Sequence, residues 1–230
     1  MDSKFLNWLL GIRNDVLNRY MIAITHLGTG GAIWLFTVYI LFYLGFRIES
    51  INVILALIFN GIVCNLFLKN ILKRKRPSWI NKVELLIKDP TDFSFPSGHA
   101  SSSFAAALTI YFYFRGMGIF FLVIAALIAF SRIYHFVHYP SDVIIGAIIG
   151  IIIALLTKNY YDKFILDFMQ VNLPFLFGPL PKIWEEARDL ACTFSFQDTI
   201  LIINPVISYE FFYFLVGNYS TKPLVAGTKI

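Results

Sequence analysis

Three short groups of polar residues stand where apolar runs of this 230-residue chain meet polar loops. Arginine presents a fork of donors that fits a phosphate group, and lysine adds a concentrated positive charge. Lys69, Arg76 and Arg132 are therefore candidate phosphate-binding residues. The three groups read Lys69-(six residues)-Arg76-Pro77, Pro96-Ser97-Gly98-His99 and Ser131-Arg132-(five residues)-His138-(three residues)-Asp142.

Ser97 and Gly98 are candidates for the same role because they precede a predicted helix that starts at or just before His99. A helix start offers free backbone N–H groups and the positive end of the helix dipole. Gly98 has no side chain to keep an anion away from that backbone. Cys64 and Cys192 show no metal-ligand spacing. The predicted phosphate cradle therefore uses neither a metal ion nor a thiolate, and we expect no cofactor.

Two histidines and one aspartate complete the candidate chemistry. His138 and Asp142 lie four residues apart and are predicted to meet near the first turn of a helix that begins around Pro140. A carboxylate that holds one ring nitrogen of a histidine leaves the other nitrogen free as a nucleophile. We predict that His138 attacks phosphorus and becomes phosphohistidine. His99 would protonate the leaving oxygen and then activate water, while the cations stabilise the transition state.

The composition indicates which kind of fold positions these groups. Hydrophobic residues make up 58% of the chain and charged residues only 14%, whereas soluble domains are roughly a quarter charged. Too little polar surface remains to cover a water-soluble globule, but a bilayer can face apolar side chains directly. The apolar runs are continuous rather than alternating, which favours helices over strands.

Five long apolar runs predict five spans, since a span needs about 20 mainly apolar residues. Consecutive spans cross the membrane in opposite directions. The second span therefore ends on the face where the third span starts, and the chain returns to that face where the fourth span ends and the fifth span starts. The three polar groups should therefore converge on one pocket. The predicted fold class is all-α, a polytopic transmembrane helical bundle with five core spans. The runs are Tyr20–Phe46 with a break at Gly28–Gly31, Ile51–Leu68, His99–Phe114, Gly118–Tyr134 and Val143–Leu156.

The chain divides into three predicted parts. Residues 1–19 form an interfacial amphipathic helix on the membrane, and residues 20–164 form the transmembrane domain that carries the polar groups. Residues 165–230 form a C-terminal extension of uncertain structure. Within it, the apolar segment 199–217 is interrupted by a proline and a glutamate. It could form a sixth span or a re-entrant piece, but an interfacial or irregular segment is favoured.

The basic balance of the chain indicates its partners. The net charge of +5 fits a phosphorylated substrate or anionic lipids, and the predominance of apolar residues argues against nucleic acid. Lys73, Arg74 and Lys75 are predicted to form a surface patch that attracts anionic lipid headgroups. The expected partners are a lipid phosphate substrate and membrane lipids. The sequence gives no indication of the oligomeric state.

The three polar groups together resemble the signature of the type 2 phosphatidic acid phosphatase superfamily, which includes vanadium haloperoxidases and glucose-6-phosphatase. The match has no departure at the signature positions, and the resemblance covers roughly residues 14–163. It implies a helical bundle, a phosphohistidine at His138, acid–base work by His99 and no metal cofactor.

Within that superfamily the chain is similar to bacterial undecaprenyl diphosphate phosphatases and phosphatidylglycerophosphate phosphatases. The resemblance implies an integral membrane enzyme that hydrolyses a phosphomonoester or diphosphate of a lipid. Two alternatives stay open: a phosphatase for another lipid phosphate such as phosphatidic acid, and a non-catalytic lipid-binding protein on the same fold.

The resemblance also implies a multi-pass cell membrane protein whose catalytic face lies outside the cytoplasm. The basic segment between Lys69 and Lys88 argues for the opposite orientation, because positive loops favour the cytoplasmic side. Several of those cations are expected to bind the substrate, however. The prediction is therefore an extracytoplasmic catalytic face.

Overall fold

Helices are the only regular elements in the part of the chain that the computed structural model describes, residues 2–81 and 83–173. The predicted all-α class is therefore confirmed for these ranges. The apolar segment 199–217 and most of the predicted C-terminal extension lie outside the described residues.

The N-terminal region contains two helices where the sequence predicted one. Helix α1 spans Asp2–Gly11 and helix α2 spans Asp15–Leu27. The chain breaks between them because the Asn14 side chain accepts a hydrogen bond from the Leu17 amide at 2.9 Å and caps α2. Leu6 and Leu9 on α1 are each only 1% exposed. One apolar face of α1 therefore packs on the helical bundle, and the interfacial placement of residues 1–19 stays a prediction.

A bend separates α2 from the next helix, as the glycines of this region predicted. A single turn at Thr29–Gly31 links α2 to α3, which spans Ala32–Tyr43, and the two helices meet at 49°. Gly30 and Gly31 have φ angles of 60° and 72°. Side chains are disfavoured in this left-handed region, so glycine permits the bend.

The next helical stretch changes from α-helical to π-helical geometry before it reaches Lys69, the first residue of the first polar group. Helix α4 spans Arg47–Asn60 and continues as a π-helical segment over Gly61–Leu68. Helix α5, Lys69–Leu72, then ends at Lys73, whose φ of 45° turns the chain away. The short helix α6 follows at Pro77–Ile80.

Helix α7 is the central element of the bundle. It spans Gly98–Tyr113 and packs against α4, against α8 at Arg115–Tyr134 and against α9 at Pro140–Tyr160. Alanines on α7 are fully buried, which lets its neighbours approach closely. After a π-helical turn at Tyr161–Ile165, α10 spans Leu166–Asn172. The helical rod thus continues past the predicted domain boundary at residue 164.

Three stretches are long and apolar enough to cross a membrane: Arg47–Ile80, Arg115–Tyr134 and Pro140–Asn172. The bent pair of α2 and α3 supplies a fourth if both halves form one span. Large apolar side chains on these helices, such as Phe36, Phe120 and Ile144, are exposed as expected for a lipid-facing surface. The apolar helices bear out a membrane protein, and the count of five spans stays a prediction.

Two glycines set the distance between α7 and α9. A Cβ atom added at Gly146 would lie 2.7 Å from the Ser97 carbonyl oxygen, and one at Gly150 would lie 2.2 Å from the Ser101 carbonyl oxygen. Both obstacles are backbone atoms and cannot move without shifting α7. Since α7 and α9 carry His99 and Asp142 at their starts, this packing also positions the polar groups.

Replacing Gly150 with alanine is expected to destabilise the bundle by about 1–3 kcal/mol, because the new methyl group overlaps the α7 backbone. The measurement is the melting temperature of the purified protein in detergent. The control is Gly11→Ala, where nothing lies within 4 Å of an added Cβ. Equal melting temperatures for Gly150→Ala and the unchanged protein would contradict this account of the packing.

Candidate active site

The three polar groups meet at one end of the bundle, as the crossing parity predicted. Arg76 connects two of them directly, because its Nη1 atom lies 3.0 Å from Nε2 of His138. The same Nη1 donates to the Val137 carbonyl oxygen at 2.7 Å. Both Arg76 and His138 are only 1% exposed. The first and third groups therefore share a buried contact.

This contact fixes the state of the His138 ring. An arginine can only donate, so Nε2 accepts and the ring proton lies on Nδ1. Burial lowers the pKa of His138 well below its usual range, and the charges of Arg76, Arg132 and Lys69 lower it further. The imidazole is therefore neutral at pH 7, and the lone pair on Nε2 faces the cations.

A serine mediates the expected contact between His138 and Asp142. The His138 Nδ1 and Asp142 Oδ2 atoms are 3.8 Å apart, too far for the direct hydrogen bond that the spacing predicted. Ser94 Oγ lies 3.4 Å from Nδ1 and donates to Oδ2 at 2.5 Å. The Nδ1 proton faces the serine oxygen, and the serine proton goes to the carboxylate. Ser94 was missed by the sequence analysis.

Asp142 is fully buried and is held by two further donors. The Tyr139 amide donates to Oδ2 at 3.1 Å, which caps the start of α9. Arg74 Nη1 donates to Oδ1 at 2.5 Å. The predicted lipid-headgroup patch is therefore wrong for Arg74, because the turn at Lys73 directs this arginine toward the carboxylate. Arg74 also lies over the Tyr139 ring, with 4.1 Å from its Cζ atom to the ring centroid.

Asp92 is a second functional candidate that the sequence analysis missed. Its carboxylate forms ion pairs with Lys69 and with Arg76, whose Nη2 atom lies 2.6 Å from Oδ1. Burial alone would raise the pKa of Asp92, but the hydrogen bond and charge of Lys69 and the charge of Arg76 outweigh it and lower the pKa to about 2. The Asp92 side chain is 50% exposed, so this anion lies at the mouth of the site.

The second polar group lies beside the first. Ser97 caps α7 by accepting from the Ala100 amide at 3.5 Å, and its own amide donates to the Asp142 carbonyl oxygen at 3.1 Å. A Cβ atom on Gly98 would lie 3.6 Å from Lys69 Nζ. Asn65 Oδ1 would lie closer, at 2.7 Å. Because Gly98 has no side chain, both polar groups can approach the start of α7, and the phosphate cradle stays a prediction.

His99 and Arg132 complete the set of predicted residues. The His99 Nε2 atom is buried and has no hydrogen-bond partner among the described residues. Arg132 is buried too, and its Nη1 atom donates to Thr25 Oγ1 on α2 at 2.7 Å. Thr25 was not identified from the sequence, because nothing in its local pattern links α2 to the end of α8.

A cavity of about 410 Å³ reaches His99. Its lining includes the polar residues Lys69, Asp92 and His99 together with Gly98, and the apolar residues Leu35 and Leu57. The cavity therefore offers cations for an anionic group and an apolar wall for a chain attached to it. Within residues 2–81 and 83–173, no cluster of three His, Cys, Asp or Glu side chains is arranged to hold a metal ion.

Comparison with known proteins identifies a family. A sequence model described as the PAP2 superfamily matches residues 49–166. An undecaprenyl-diphosphatase of Sulfolobus acidocaldarius is 35% identical over 114 residues, which cover 48% of this chain and 55% of that protein. Phosphatidylglycerophosphatase B of Bacillus subtilis is 31% identical over 166 residues, which cover 66% of this chain and 79% of that protein. The chain thus spans little more than half the length of the Sulfolobus relative.

A solved structure shares the fold. The crystal structure of Aquifex aeolicus LpxE superposes with a TM-score of 0.61 and 28% sequence identity. The match covers 69% of this chain and 95% of the Aquifex chain.

Replacing Asp92 with asparagine is expected to lower the melting temperature most above pH 4. The depressed pKa of Asp92 stabilises the fold above its ordinary pKa of about 3.9, and this contribution disappears as the pH falls through about 2. Solvent screens a half-exposed carboxylate, so we expect a loss of roughly 2–4 °C at pH 6. Melting curves in detergent at pH 6 and pH 3 measure the effect.

The matched control is Asp89→Asn in the same loop, where the carboxylate accepts from Ser78 Oγ at 2.9 Å and forms no ion pair among the described residues. It should change the melting temperature less at pH 6. A difference between Asp92→Asn and the unchanged protein that grows as the pH falls would contradict the assigned ion pairs.

Proposed function

This chain belongs to the PAP2 superfamily, and from that premise we propose that it is an integral membrane phosphatase acting on a lipid phosphate. The proposed reaction is hydrolysis of a phosphomonoester or diphosphate. The named relatives point to undecaprenyl diphosphate or phosphatidylglycerophosphate as the type of substrate.

One observation carries this proposal: a buried, neutral imidazole lies among cations, and one of these cations lines an open cavity. Nε2 of His138 lies 3.0 Å from Arg76 Nη1, and Lys69 lines the cavity together with His99. A neutral nitrogen is a nucleophile, and the surrounding positive charge favours an anionic phosphate. A purely structural histidine would need neither the cations nor the cavity.

In the first step the phosphate enters between Lys69, Arg76 and Arg132. Arg76 transfers its Nη1 hydrogen bond from Nε2 of His138 to a phosphate oxygen, which frees the nitrogen lone pair. Nε2 then forms a bond to phosphorus while the bond from phosphorus to the lipid oxygen breaks. His99 is protonated when the phosphate anion binds beside it. It donates that proton to the lipid oxygen and becomes neutral, and the lipid leaves as an alcohol or as a monophosphate.

The second step regenerates the enzyme. His99, now without its proton, accepts a proton from a water molecule that attacks phosphorus. The phosphorus–nitrogen bond of phosphohistidine breaks, and inorganic phosphate leaves with the water oxygen. Nε2 recovers its lone pair and its contact with Arg76.

Ser94, Asp142 and Arg74 act on His138 as positioning residues. As Nε2 bonds to phosphorus, positive charge develops on the ring and its Nδ1 proton becomes more acidic. Ser94 Oγ accepts from Nδ1 and donates to Asp142 Oδ2, so the carboxylate stabilises that charge through one hydroxyl. Arg74 keeps Asp142 in place from the other side.

The proposed enzyme has five spans within residues 20–164, with α2 and α3 as the first and the sixteen-residue α7 as the third. Residues 1–19 would lie at the membrane interface, and residues 165–230 would form an extension beyond the catalytic domain. We place the catalytic face outside the cytoplasm, in the cell membrane.

Replacing His138 with glutamine is expected to reduce phosphate release at least about 1000-fold, because the amide cannot form the covalent intermediate. Release of inorganic phosphate from undecaprenyl diphosphate and phosphatidylglycerophosphate is measured in detergent, with a chelator present throughout. His26→Gln is the control, since His26 is exposed on α2, and it should keep its activity. Full activity in His138→Gln would refute the assigned nucleophile.

Cysteine labelling tests the orientation. Lys88 is exposed in the loop before α7, and Arg115 is exposed at the opposite end of that helix. In a background with Cys64 and Cys192 replaced by serine, a membrane-impermeant maleimide should label Lys88→Cys in intact cells. Arg115→Cys should react only after permeabilisation. The reverse pattern would place the catalytic face in the cytoplasm.

A further inference from the structure

The cavity wall changes in polarity along the helical stretch from Leu57 to Lys69. Both residues line the cavity, and they lie at opposite ends of this stretch. Two neutral polar residues of the lining, Asn60 and Asn65, lie between them in the chain, and with Ser102 of α7 they form a belt of neutral polar side chains in the cavity wall. An aliphatic chain alone gains nothing from such a belt, because burying unpaired amides costs free energy.

The π-helical segment brings the two asparagines of this belt together. Residues five apart in an α-helix point about 140° away from each other. In a π-helix, hydrogen bonds join residues five apart, so such residues stack on one side. Asn60 directly precedes the segment Gly61–Leu68 and Asn65 lies within it, and both line the cavity. The change of helical form thus adds a second amide to the wall.

The amide donors of this belt are unused. Asn60 is only 1% exposed, and its Oδ1 atom accepts from Cys64 Sγ at 3.5 Å. The NH₂ group of Asn60 has no hydrogen-bond partner among the described residues. The same holds for the side-chain atoms of Asn65, which is exposed on the cavity surface. Asn70, one turn further along, instead donates to the Leu66 carbonyl oxygen at 2.7 Å. The asparagines in the cavity are therefore left available to a ligand.

Asn65 is close to the phosphate cradle. Its Oδ1 atom would lie 2.7 Å from a Cβ atom on Gly98, and Lys69 Nζ would lie 3.6 Å from the same point. Asn65 is also four residues before Lys69, which is about one helical turn deeper. A group bound by Asn65 would therefore lie next to the phosphate that Lys69 holds, on the side of the leaving lipid.

We propose that Asn60 and Asn65 form a neutral donor subsite that binds acceptor oxygens of the leaving lipid close to the scissile phosphate. The inference rests on the proposed lipid phosphatase function and deepens it. Two kinds of lipid carry such oxygens: diphosphates, through the phosphate that stays on the lipid, and glycerolipids, through their ester carbonyls. A polyprenyl monophosphate carries no acceptor beyond the oxygen that is bonded to phosphorus, because its leaving group is a plain alcohol.

The test compares three substrates in detergent: a polyprenyl monophosphate, the diphosphate of the same chain, and phosphatidic acid. In Asn60→Leu and Asn65→Leu, kcat/KM should fall about tenfold for a substrate whose oxygens the subsite binds, the effect of one lost hydrogen bond. It should change less than twofold for the monophosphate. Asn70→Leu is the matched control and should change none of the three.

Each result has a distinct meaning. A loss confined to the diphosphate identifies the second phosphate as the ligand, a loss confined to phosphatidic acid identifies the ester carbonyls, and a loss on both identifies a shared role. Equal losses on all three substrates, or no loss on any, would overturn the subsite while leaving the phosphatase intact. No phosphate release by the unchanged protein from any of the three, or from phosphatidylglycerophosphate, would overturn the proposed function itself.

Melting temperatures of the three leucine variants separate this role from folding. Leucine is apolar and of similar size, so each variant should melt within a few degrees of the unchanged protein. Substrate-dependent losses at an unchanged melting temperature support the subsite. A loss that tracks the melting temperature across substrates would count against it.

Discussion

Arg76 carries a full positive charge in a position where only 1% of its surface meets water. An unpaired charge at that depth would be costly, so every donor of the guanidinium needs an acceptor. Two segments supply these acceptors. Asp92 accepts from Arg76 through its backbone carbonyl and its carboxylate, and Val137 and His138 accept from Nη1 of Arg76. The Arg76 side chain therefore holds together the loop before α7 and the turn before α9.

The same loop is held at two further points. The Ser94 amide donates to the Arg74 carbonyl oxygen at 2.8 Å, and the Ser97 amide donates to the Asp142 carbonyl oxygen at 3.1 Å. Thr25 lies on α2, before the region that the family match covers, and yet holds Arg132. The N-terminal helices are therefore part of the site's support, although the signature residues all lie within residues 49–166.

The sequence predicted those features that depend on periodicity and on local spacing. Continuous apolar runs predicted the helices, and the glycines predicted the bend between α2 and α3. The crossing parity predicted that Lys69, His99 and His138 share one end of the bundle. The roles of Asp92, Ser94 and Arg74 could not be predicted in this way, because they depend on the path of a loop with no repeating pattern. The four-residue spacing of His138 and Asp142 brought them near each other, but it carried no information about the serine between them.

The ion pairs of Asp92 give the proposed reaction the character of an ion exchange. The Asp92 carboxylate occupies donors of Lys69 and Arg76, and in the proposed reaction an incoming phosphate would need the same donors. The arriving anion would then replace an anion that is already present, so the two cations would stay paired throughout. The same carboxylate would compete with the product phosphate for these donors and would favour its release.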